Sequence, residues 1–517
     1  MSALILFNTH VITMDPSFPK AQLVVIQNDR ILAVGRNEDL NIFKKTDTKI
    51  IDCKDKTVLP GFIDAHCHLQ ALAESKVILN LEPRNNIRSI SDIQTKIRES
   101  SMKLPTGTWI KGRGYNEFYL TEKRHPNRWD LDQISSLHPV KLTHRTGQAH
   151  VLNSLALKLV GISKEAPDPP DGLIDRDIET GEPTGLVYQM GNFLSKRIPP
   201  LDNRQLDHGI ELSNKELLSS GVTSIQDASS NNGLEQWEMF KRWKNNGILK
   251  PRVTMMLSLE SFMNYKNLDF FTKLDKNHLH LGGIKTIIHE TTGKLYPDQK
   301  ELNEMVLQIH QAGFQVVLHA IEENAIEAAC SAVEHALKVS PKSNHRHRIE
   351  HCSVCPPSLA KRLASLGILV VTQPSFIYYS GERYLKTVPS DQLKYLYPIA
   401  TLMRSEVSVV GSSDCPIAPL NPLIGMYAVI SRATDSGERI LPEERINPKD
   451  ALKMYTEVAA KASFEEKNKG SISPGKLADL VVLNGDPTKL PIDEIKDIEV
   501  EMTILDGKIV WEKWVSR

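Results

Sequence analysis

Residues 61–69 read GFIDAHCHL, an apolar strand candidate in which His66 and His68 stand two residues apart. Side chains at positions i and i+2 of a strand point to the same face, about 7 Å apart, so both imidazoles can hold one divalent cation while Cys67 points away. Because the chain contains 17 histidines, two hydrogen-bonded core histidines are the alternative interpretation. The segments that accompany this stretch decide between them.

Seven further apolar segments, rich in β-branched residues, read as buried strands: GVTSIQDAS, PRVTMMLSL, GGIKTIIHE, FQVVLHA, HRIEHCS, GILVVTQPS and VSVVGSSD. From the second strand onward they alternate with helical patterns such as DQKELNEMVLQIHQAG and PPSLAKRLASLG. This alternation predicts a parallel sheet, and eight strands predict closure into a TIM-like (β/α)8 barrel. His319, His351 and Asp414 each stand at the C-terminal end of such a strand, the edge where a barrel builds its active site. Because these three residues and the His66–His68 pair are all expected at the same edge of the barrel, the sequence favours a metal site over two hydrogen-bonded core histidines.

The remaining sequence predicts two additions to the barrel. Alternating segments in residues 1–58 and 465–517 predict a small composite β-sandwich domain formed by both chain termini. Residues 59–464 are expected to hold the barrel. The gap at about residues 75–215, between the first and second strands, is far longer than one crossover helix. It is expected to fold as an inserted subdomain over the mouth of the barrel.

Composition excludes several function classes. Lys+Arg and Asp+Glu both number 63, which offers no case for binding nucleic acid or an anionic membrane surface. No apolar run approaches a membrane span, and the N-terminal residues alternate like a strand rather than a signal peptide. Six cysteines in so long a chain do not resemble a disulfide framework, so we expect a cytoplasmic protein. Cys352 and Cys355 form a lone C-x2-C, for which a structural zinc knuckle is the minor alternative.

Local phrases then resemble a known family, the YtcJ-like (amidohydrolase-3) branch of the amidohydrolase superfamily. The phrases are VLPGFIDAHCHL, RWDLDQISSLHPVKLTHRTG, VLNSLAL, RDIETGEPTGLV, GVTSIQDA, RIEHC and GSSDCPIAPLNP. The order of potential ligands also matches: HxH after the first strand, then Lys285, His319, His351 and Asp414. The resemblance implies a metal-dependent hydrolase of carbon–nitrogen bonds outside peptides, in a family where N-substituted formamide deformylases are known. A homodimer and a small-molecule substrate are further expectations.

The resemblance also implies a binuclear centre. His66 and His68 would hold one ion with Asp414, and His319 and His351 the other. A buried ammonium at Lys285 should be neutralised, paired or modified; in the family this lysine reacts with carbon dioxide to form a carbamate that bridges both metals. The alternative is a salt-bridged Lys285 and a single ion. Imidazole and carboxylate ligands suit zinc, expected here as two ions per chain, with iron or manganese as alternatives.

Asp414 carries the expected catalytic role. A metal-bound hydroxide would attack the carbonyl, while the Asp414 carboxylate accepts the proton from that water and delivers it to the departing amine. The alternative for Asp414 is a polar residue that terminates a strand, since SSDCP is also good turn chemistry.

Departures from the family pattern mark candidate substrate-binding residues. The family commonly has Gly-His where this chain has Gly147 and Gln148, with His150 two residues on. His289 and Glu290 replace an Asp-Gly after the fourth strand. Glu322 completes an H-x-x-E phrase with His319, and Arg113 is a candidate pocket residue.

Two other functions remain open on the sequence. A mononuclear deaminase or ring-opening enzyme would use Glu322 for proton transfer, unless Glu322 merely begins an exposed helix, where acids favour the N-terminus. A non-catalytic scaffold on the same fold is the second alternative, although such proteins typically lose metal ligands that are all present here.

Overall fold

The computed structural model of the protein describes residues 3–169, 172–265, 278–291 and 294–513; for residues 265, 290 and 291 it describes the backbone alone. Within this part the chain separates into two compact units. The first contains residues 1–69, 213–290 and 297–517, and the second contains residues 70–212 and 291–296. The finer division that the sequence suggests, at residues 58, 75–215 and 464, stays a prediction.

Eight parallel strands of the first unit form a nearly closed barrel, in chain order around the sheet. They are β1 (Phe62–Cys67), β2 (Val222–Asp227), β3 (Arg252–Ser258), β4 (Leu279–Ile287), β5 (Val316–Ala320), β6 (Arg348–His351), β7 (Leu369–Thr372) and β8 (Val409–Gly411). All eight predicted strands are confirmed. The β2 and β3 strands are buried at every position, as expected for a parallel sheet covered on both faces.

Helices lie between successive barrel strands and after β8. They are Leu69–Ser75 after β1, Asn203–Ser219 before β2, Leu234–Asn245, Leu259–Tyr265, Gln299–Gln311, Glu323–Val339, Pro357–Ser365, Ser375–Thr387, Ser390–Leu393, Ile399–Arg404, Pro422–Ser431, Pro448–Met454 and Glu457–Ala462. Gln299–Gln311 begins where predicted, because the Asp298 side chain accepts a 2.9 Å hydrogen bond from the Glu301 amide. None of the helices in the described part of the chain is both long and apolar enough to cross a membrane.

Strands from both ends of the chain form a second sheet in the same unit. Its members are Ala3–Ile12, Lys20–Ala21, Leu23–Gln27, Arg30–Gly35, Thr48–Pro60, Leu480–Leu483, Val500–Leu505 and Lys508–Glu512, with the short helix Leu40–Phe43. Val24, Ile26, Leu480 and Ile504 lie in one buried cluster, so residues from the two termini share a core. The predicted strands are confirmed, while their arrangement as a two-layered sandwich stays a prediction.

The second unit is built on a six-stranded mixed sheet. In spatial order its strands are Leu173–Arg176, Pro183–Tyr188, Ala149–Leu152, Val140–His144, Ile110–Tyr115 and Leu79–Asn80. Its helices are Ile90–Ser101, Arg128–Asp132, Ser154–Val160 and Gly191–Ser195. The short strands His289–Thr291 and Lys294–Tyr296 pair with each other.

Candidate metal centre

The first and last barrel strands bring three of the expected metal ligands, His66, His68 and Asp414, together. The Asp414 amide donates a 2.8 Å hydrogen bond to the His66 carbonyl, and the His68 amide donates at 2.9 Å to the Cys415 carbonyl. Side-chain donor atoms of His66, His68 and Asp414 consequently lie within 4.8 Å of one another. Residues at the two ends of the barrel sequence therefore form one group of potential metal ligands.

The geometry within this group suits a cation. His68 Nε2 lies 2.9 Å and His66 Nε2 3.5 Å from Asp414 Oδ1. Yet Asp414 Oδ1 is buried and makes no hydrogen bond in proper geometry with any described residue. A buried carboxylate oxygen without a donor is costly, and two imidazole nitrogens beside it supply further lone pairs. These residues therefore fit a divalent ion bound among their three donor atoms.

The remote nitrogens of three imidazoles are held by other residues. His66 Nδ1 contacts a carboxylate oxygen of Glu350, His68 Nδ1 lies 3.0 Å from Ser229 Oγ, and His351 Nδ1 lies 2.7 Å from Gln373 Oε1. Such partners fix ring orientation and leave Nε2 free to ligate a metal. Sequence reasoning missed Glu350, Ser229 and Gln373, although each stands at or just beyond the end of a barrel strand.

His319 and His351 stand beside this group. Their ring centroids are 4.3 Å apart, and the His351 ring lies 5.0 Å from the His66 ring. Neither belongs to the three-residue group within 4.8 Å, so the structure brings the four expected histidines and Asp414 together without defining a second ion. Burial lowers the pKa of His66 to about 3 and lowers those of His319 and His351, which keeps these imidazoles neutral, as metal ligands must be.

Lys285 lies on β4 with its Nζ buried and without a hydrogen-bond partner among the described residues. Burial lowers the pKa of Lys285 to about 8, against the opposing effect of the nearby Glu350 and Asp414 charges. Burial would raise the pKa of Asp414, but its contact with His68 opposes this effect and holds the pKa below its usual value. Asp414 is therefore a carboxylate at neutral pH.

The candidate substrate residues are spread over both units. Arg113, Gln148 and His150 lie in the second unit; His150 is buried, whereas Arg113 and Gln148 are half-buried. His289 is half-buried in the first unit, and its charge acts on His319. The Glu290 side chain lies outside the described residues.

Glu322 is the exposed N-cap residue of Glu323–Val339. This position agrees with the helix-start interpretation. The six cysteines are free and buried, as expected for a chain without a disulfide framework.

Residues 49–511 match the sequence model of the amidohydrolase family. The chain belongs to this family. The resemblance seen in the sequence is thereby confirmed, and the protein is a metal-dependent hydrolase that acts on carbon–nitrogen bonds. The non-catalytic alternative is correspondingly set aside.

Two curated relatives align over almost their whole length. The chain is 28% identical to the N-substituted formamide deformylase of Arthrobacter pascens, over 99% of both chains. It is 26% identical to the putative amidohydrolase YtcJ of Bacillus subtilis, over 97% of this chain and 98% of that protein. Among solved structures, it resembles an uncharacterized metal-dependent hydrolase of Pyrococcus furiosus with a TM-score of 0.73 and 26% identity, covering 94% of this chain and 100% of that one.

Proposed function

We propose that this amidohydrolase cleaves an amide or N-formyl bond of a small organic molecule. The observation that carries the proposal is the His66–His68–Asp414 group, in which a buried carboxylate oxygen has no hydrogen bond from any described residue and faces two imidazole nitrogens. The name of the formamide deformylase relative supports the bond type.

His66, His68 and Asp414 would hold one divalent ion and His319 and His351 a second, with Lys285 bridging both as a carbamate. Zinc is the proposed metal, with iron or manganese as alternatives. A divalent ion bound there lowers the pKa of water and polarises a carbonyl. The lowered pKa of Lys285 supports the carbamate, because only the uncharged amine reacts with carbon dioxide.

Asp414 would move the proton. Its lowered pKa keeps it ionised, so it can accept a proton from the attacking water and pass it to the nitrogen of the departing amine. Glu350 and Gln373 would act as positioning residues, because each holds the remote nitrogen of a ligating histidine.

Substrate contacts by Arg113, Gln148, His150, His289, Glu290 and Glu322 are part of the proposal. The deaminase alternative needs Glu322 as a proton carrier. That side chain is exposed at the start of the helix Glu323–Val339. A cytoplasmic location and a homodimer stay predictions.

A panel of N-formyl and N-acyl amines, with detection of the released amine, tests the proposed function. Wild type prepared without chelator should hydrolyse members of the panel, lose activity with chelator and regain it with zinc. His68→Asn should be inactive, whereas His208→Asn, at an exposed histidine, should match wild type. Activity that survives in His68→Asn, or no hydrolysis of any amide by metal-loaded wild type, would contradict the proposal.

A further inference from the structure

The backbone is held on both sides of Asp414. The Asp414 amide donates a 2.8 Å hydrogen bond to the His66 carbonyl, which fixes the peptide group before Asp414. The peptide group after it is fixed by two contacts: the Cys415 amide donates to Ser413 Oγ at 2.9 Å, and the preceding carbonyl accepts from the Ile417 amide at 2.8 Å. Because φ and ψ are the only soft torsions between two peptide groups, these contacts together hold Asp414 in a left-handed conformation, with a φ of 58°.

Asp64 ties this segment to the first barrel strand. The Ser413 hydroxyl donates a hydrogen bond to Asp64 Oδ2, and the Ser413 amide donates one of 3.0 Å to Asp64 Oδ1. The His66 amide donates to the same Oδ1 at 3.3 Å. Asp64 is 2% and Ser413 6% exposed, so both groups are shielded from water. One buried carboxylate therefore holds the backbone at His66 directly and the backbone at Asp414 through Ser413.

Ser431 builds the same local structure at the end of a helix, without a proposed metal ligand. Ser431 Oγ accepts a 3.1 Å hydrogen bond from the Ala433 amide, two residues along the chain, and Arg432 between them has a φ of 57°. Ser431 is 6% exposed, as Ser413 is. Its hydroxyl donates to a backbone carbonyl, that of Tyr427, at 2.8 Å. The carboxylate acceptor therefore distinguishes the segment at Ser413 from an ordinary turn built by a serine side chain.

We propose that Ser413 and Asp64 are positioning residues that set the Asp414 carboxylate in place for the metal. The proposal rests on the proposed function, in which Asp414 binds a metal ion and carries the proton. Ser413 Oγ orients the peptide group after Asp414, and Asp64 orients Oγ. Without this hydroxyl the peptide group can rotate, and Asp414 can leave the left-handed region that non-glycine residues rarely adopt. The carboxylate would then lose its place beside His66 and His68.

Zinc titration of the metal-free full chain, in competition with a chromogenic chelator, tests this role. Ser413→Ala removes the hydroxyl and should weaken zinc affinity by about 10–100-fold, the usual effect of changing a group that orients a metal ligand. Ser413→Thr keeps a hydroxyl and should recover most of the affinity. Ser431→Ala is the matched control, because it removes the equivalent hydrogen bond beside Arg432. It should lower the Tm of the metal-free protein as Ser413→Ala does, yet keep wild-type zinc affinity.

Hydrogen exchange followed by mass spectrometry observes the segment itself. In metal-free protein, the amides of residues 413–415 should exchange faster in Ser413→Ala than in wild type, because the Cys415 amide has lost its acceptor. Ser431→Ala should leave the exchange of these amides unchanged. At saturating zinc, Ser413→Ala should lower kcat for a hydrolysed N-formyl amine and leave KM unchanged, since substrate binding is kept while Asp414 is displaced.

Wild-type zinc affinity in Ser413→Ala would overturn the proposal. So would an equal loss of affinity in Ser431→Ala, because the effect would then be a general destabilisation. A Ser413→Thr protein that binds zinc no better than Ser413→Ala would likewise count against it. If Ser413→Ala does not fold, Asp64→Asn takes its place. Its amide nitrogen cannot accept the Ser413 hydroxyl, so zinc affinity should again fall, and wild-type affinity would again overturn the proposal.

These measurements separate the positioning role from the proposed function. If zinc-loaded wild type hydrolyses no amide, the proposed function is contradicted, while zinc affinity and hydrogen exchange still decide the role of Ser413. If wild type hydrolyses the panel and Ser413→Ala keeps its zinc affinity, the positioning role alone is overturned. Wild type that binds no zinc would contradict both.

Discussion

Two of the expected metal ligands hold unusual backbone conformations. His351 has a φ of 71° and Asp414 a φ of 58°, both in the left-handed region that non-glycine residues rarely adopt. Such conformations cost of order 1–3 kcal/mol and persist where the surrounding structure enforces them, typically at functional sites. At Asp414 the hydrogen bond from its amide to the His66 carbonyl is one of the enforcing contacts. The ligand geometry is therefore set partly by the backbone.

The first prediction tests Asp414 as the proton carrier. Asp414→Asn is nearly isosteric and its oxygen can still ligate, so fold and much of the metal should remain while kcat falls by about two to four powers of ten. Turnover, metal content and circular dichroism measure these effects. Asp391→Asn, at an exposed helix start, is the control and should behave as wild type. Activity of Asp414→Asn within about threefold of wild type would remove Asp414 from the mechanism, since acid–base catalysis is worth far more.

The second prediction concerns Lys285. Lys285→Ala should lose metal and activity, and a short carboxylic acid should restore part of both by occupying the vacated bridge. The same acid should not rescue His319→Ala, which lacks an imidazole rather than a carbamate. Full activity of Lys285→Ala without added acid would show that the lysine is structural.

The third prediction follows from the burial of Lys141, which lowers its pKa from 10.5 to about 8. Between these values the unfolded chain binds the proton more tightly than the folded protein, so this residue makes stability rise with pH across the window. Below pH 8 Lys141 is charged in the folded protein, so the full cost of burying its ammonium is present. Lys141→Met should therefore raise Tm at pH 7, and the gain should shrink as pH rises from 8 toward 10.5.

Thermal unfolding at several pH values measures this difference, with Lys158→Met as the control for loss of a surface charge. A gain in Tm that is constant across the whole pH range would contradict a lowered pKa of Lys141 in the folded protein.

At the scale of elements, β6 supports the metal centre through a buried ion pair. Arg348 and Glu350 are both almost fully buried, with Arg348 Nε 2.5 Å from a Glu350 oxygen. Arg348 also donates to the Ala65 carbonyl on β1 at 2.7 Å. The strand thereby connects His66, a proposed metal ligand, to the barrel interior.

The fourth prediction tests this support. Glu350→Gln removes one partner of a buried pair and should destabilise the protein by about 3–5 kcal/mol. It should also weaken metal affinity by about 10–100-fold, because His66 loses its orienting carboxylate. Denaturant unfolding and metal titration check both effects, with the exposed Glu304→Gln as control. Unchanged metal affinity would limit Glu350 to a structural role.

Periodicity made the barrel strands, and the proximity of His66, His68 and Asp414, predictable from the sequence. Buried β-branched runs identify β1–β8, and the C-terminal ends of parallel strands must share one edge, which places His66 beside Asp414. The sequence does not single out Glu350, because neighbouring residues of a regular strand alternate in direction and Glu350 would then face away from His351. The left-handed conformation of His351 breaks that alternation.

At the scale of the whole molecule, the metal centre and barrel closure are one feature. His66 lies in β1, His68 follows it and Asp414 follows β8, and backbone hydrogen bonds between these segments align the three proposed ligands. A metal that binds only the folded chain stabilises it by mass action. Metal content per chain is therefore a property of the complete barrel.

The fifth prediction is the metal count, which tests the central claim most directly. Elemental analysis of wild type purified without chelator, together with the intact mass of the protein under conditions that preserve a carbamate, measures the ions and the state of Lys285. We expect two divalent ions per chain and a carboxylated Lys285. One tightly bound ion with an unmodified lysine would contradict the binuclear centre, and a chain that binds no divalent metal would contradict the account as a whole.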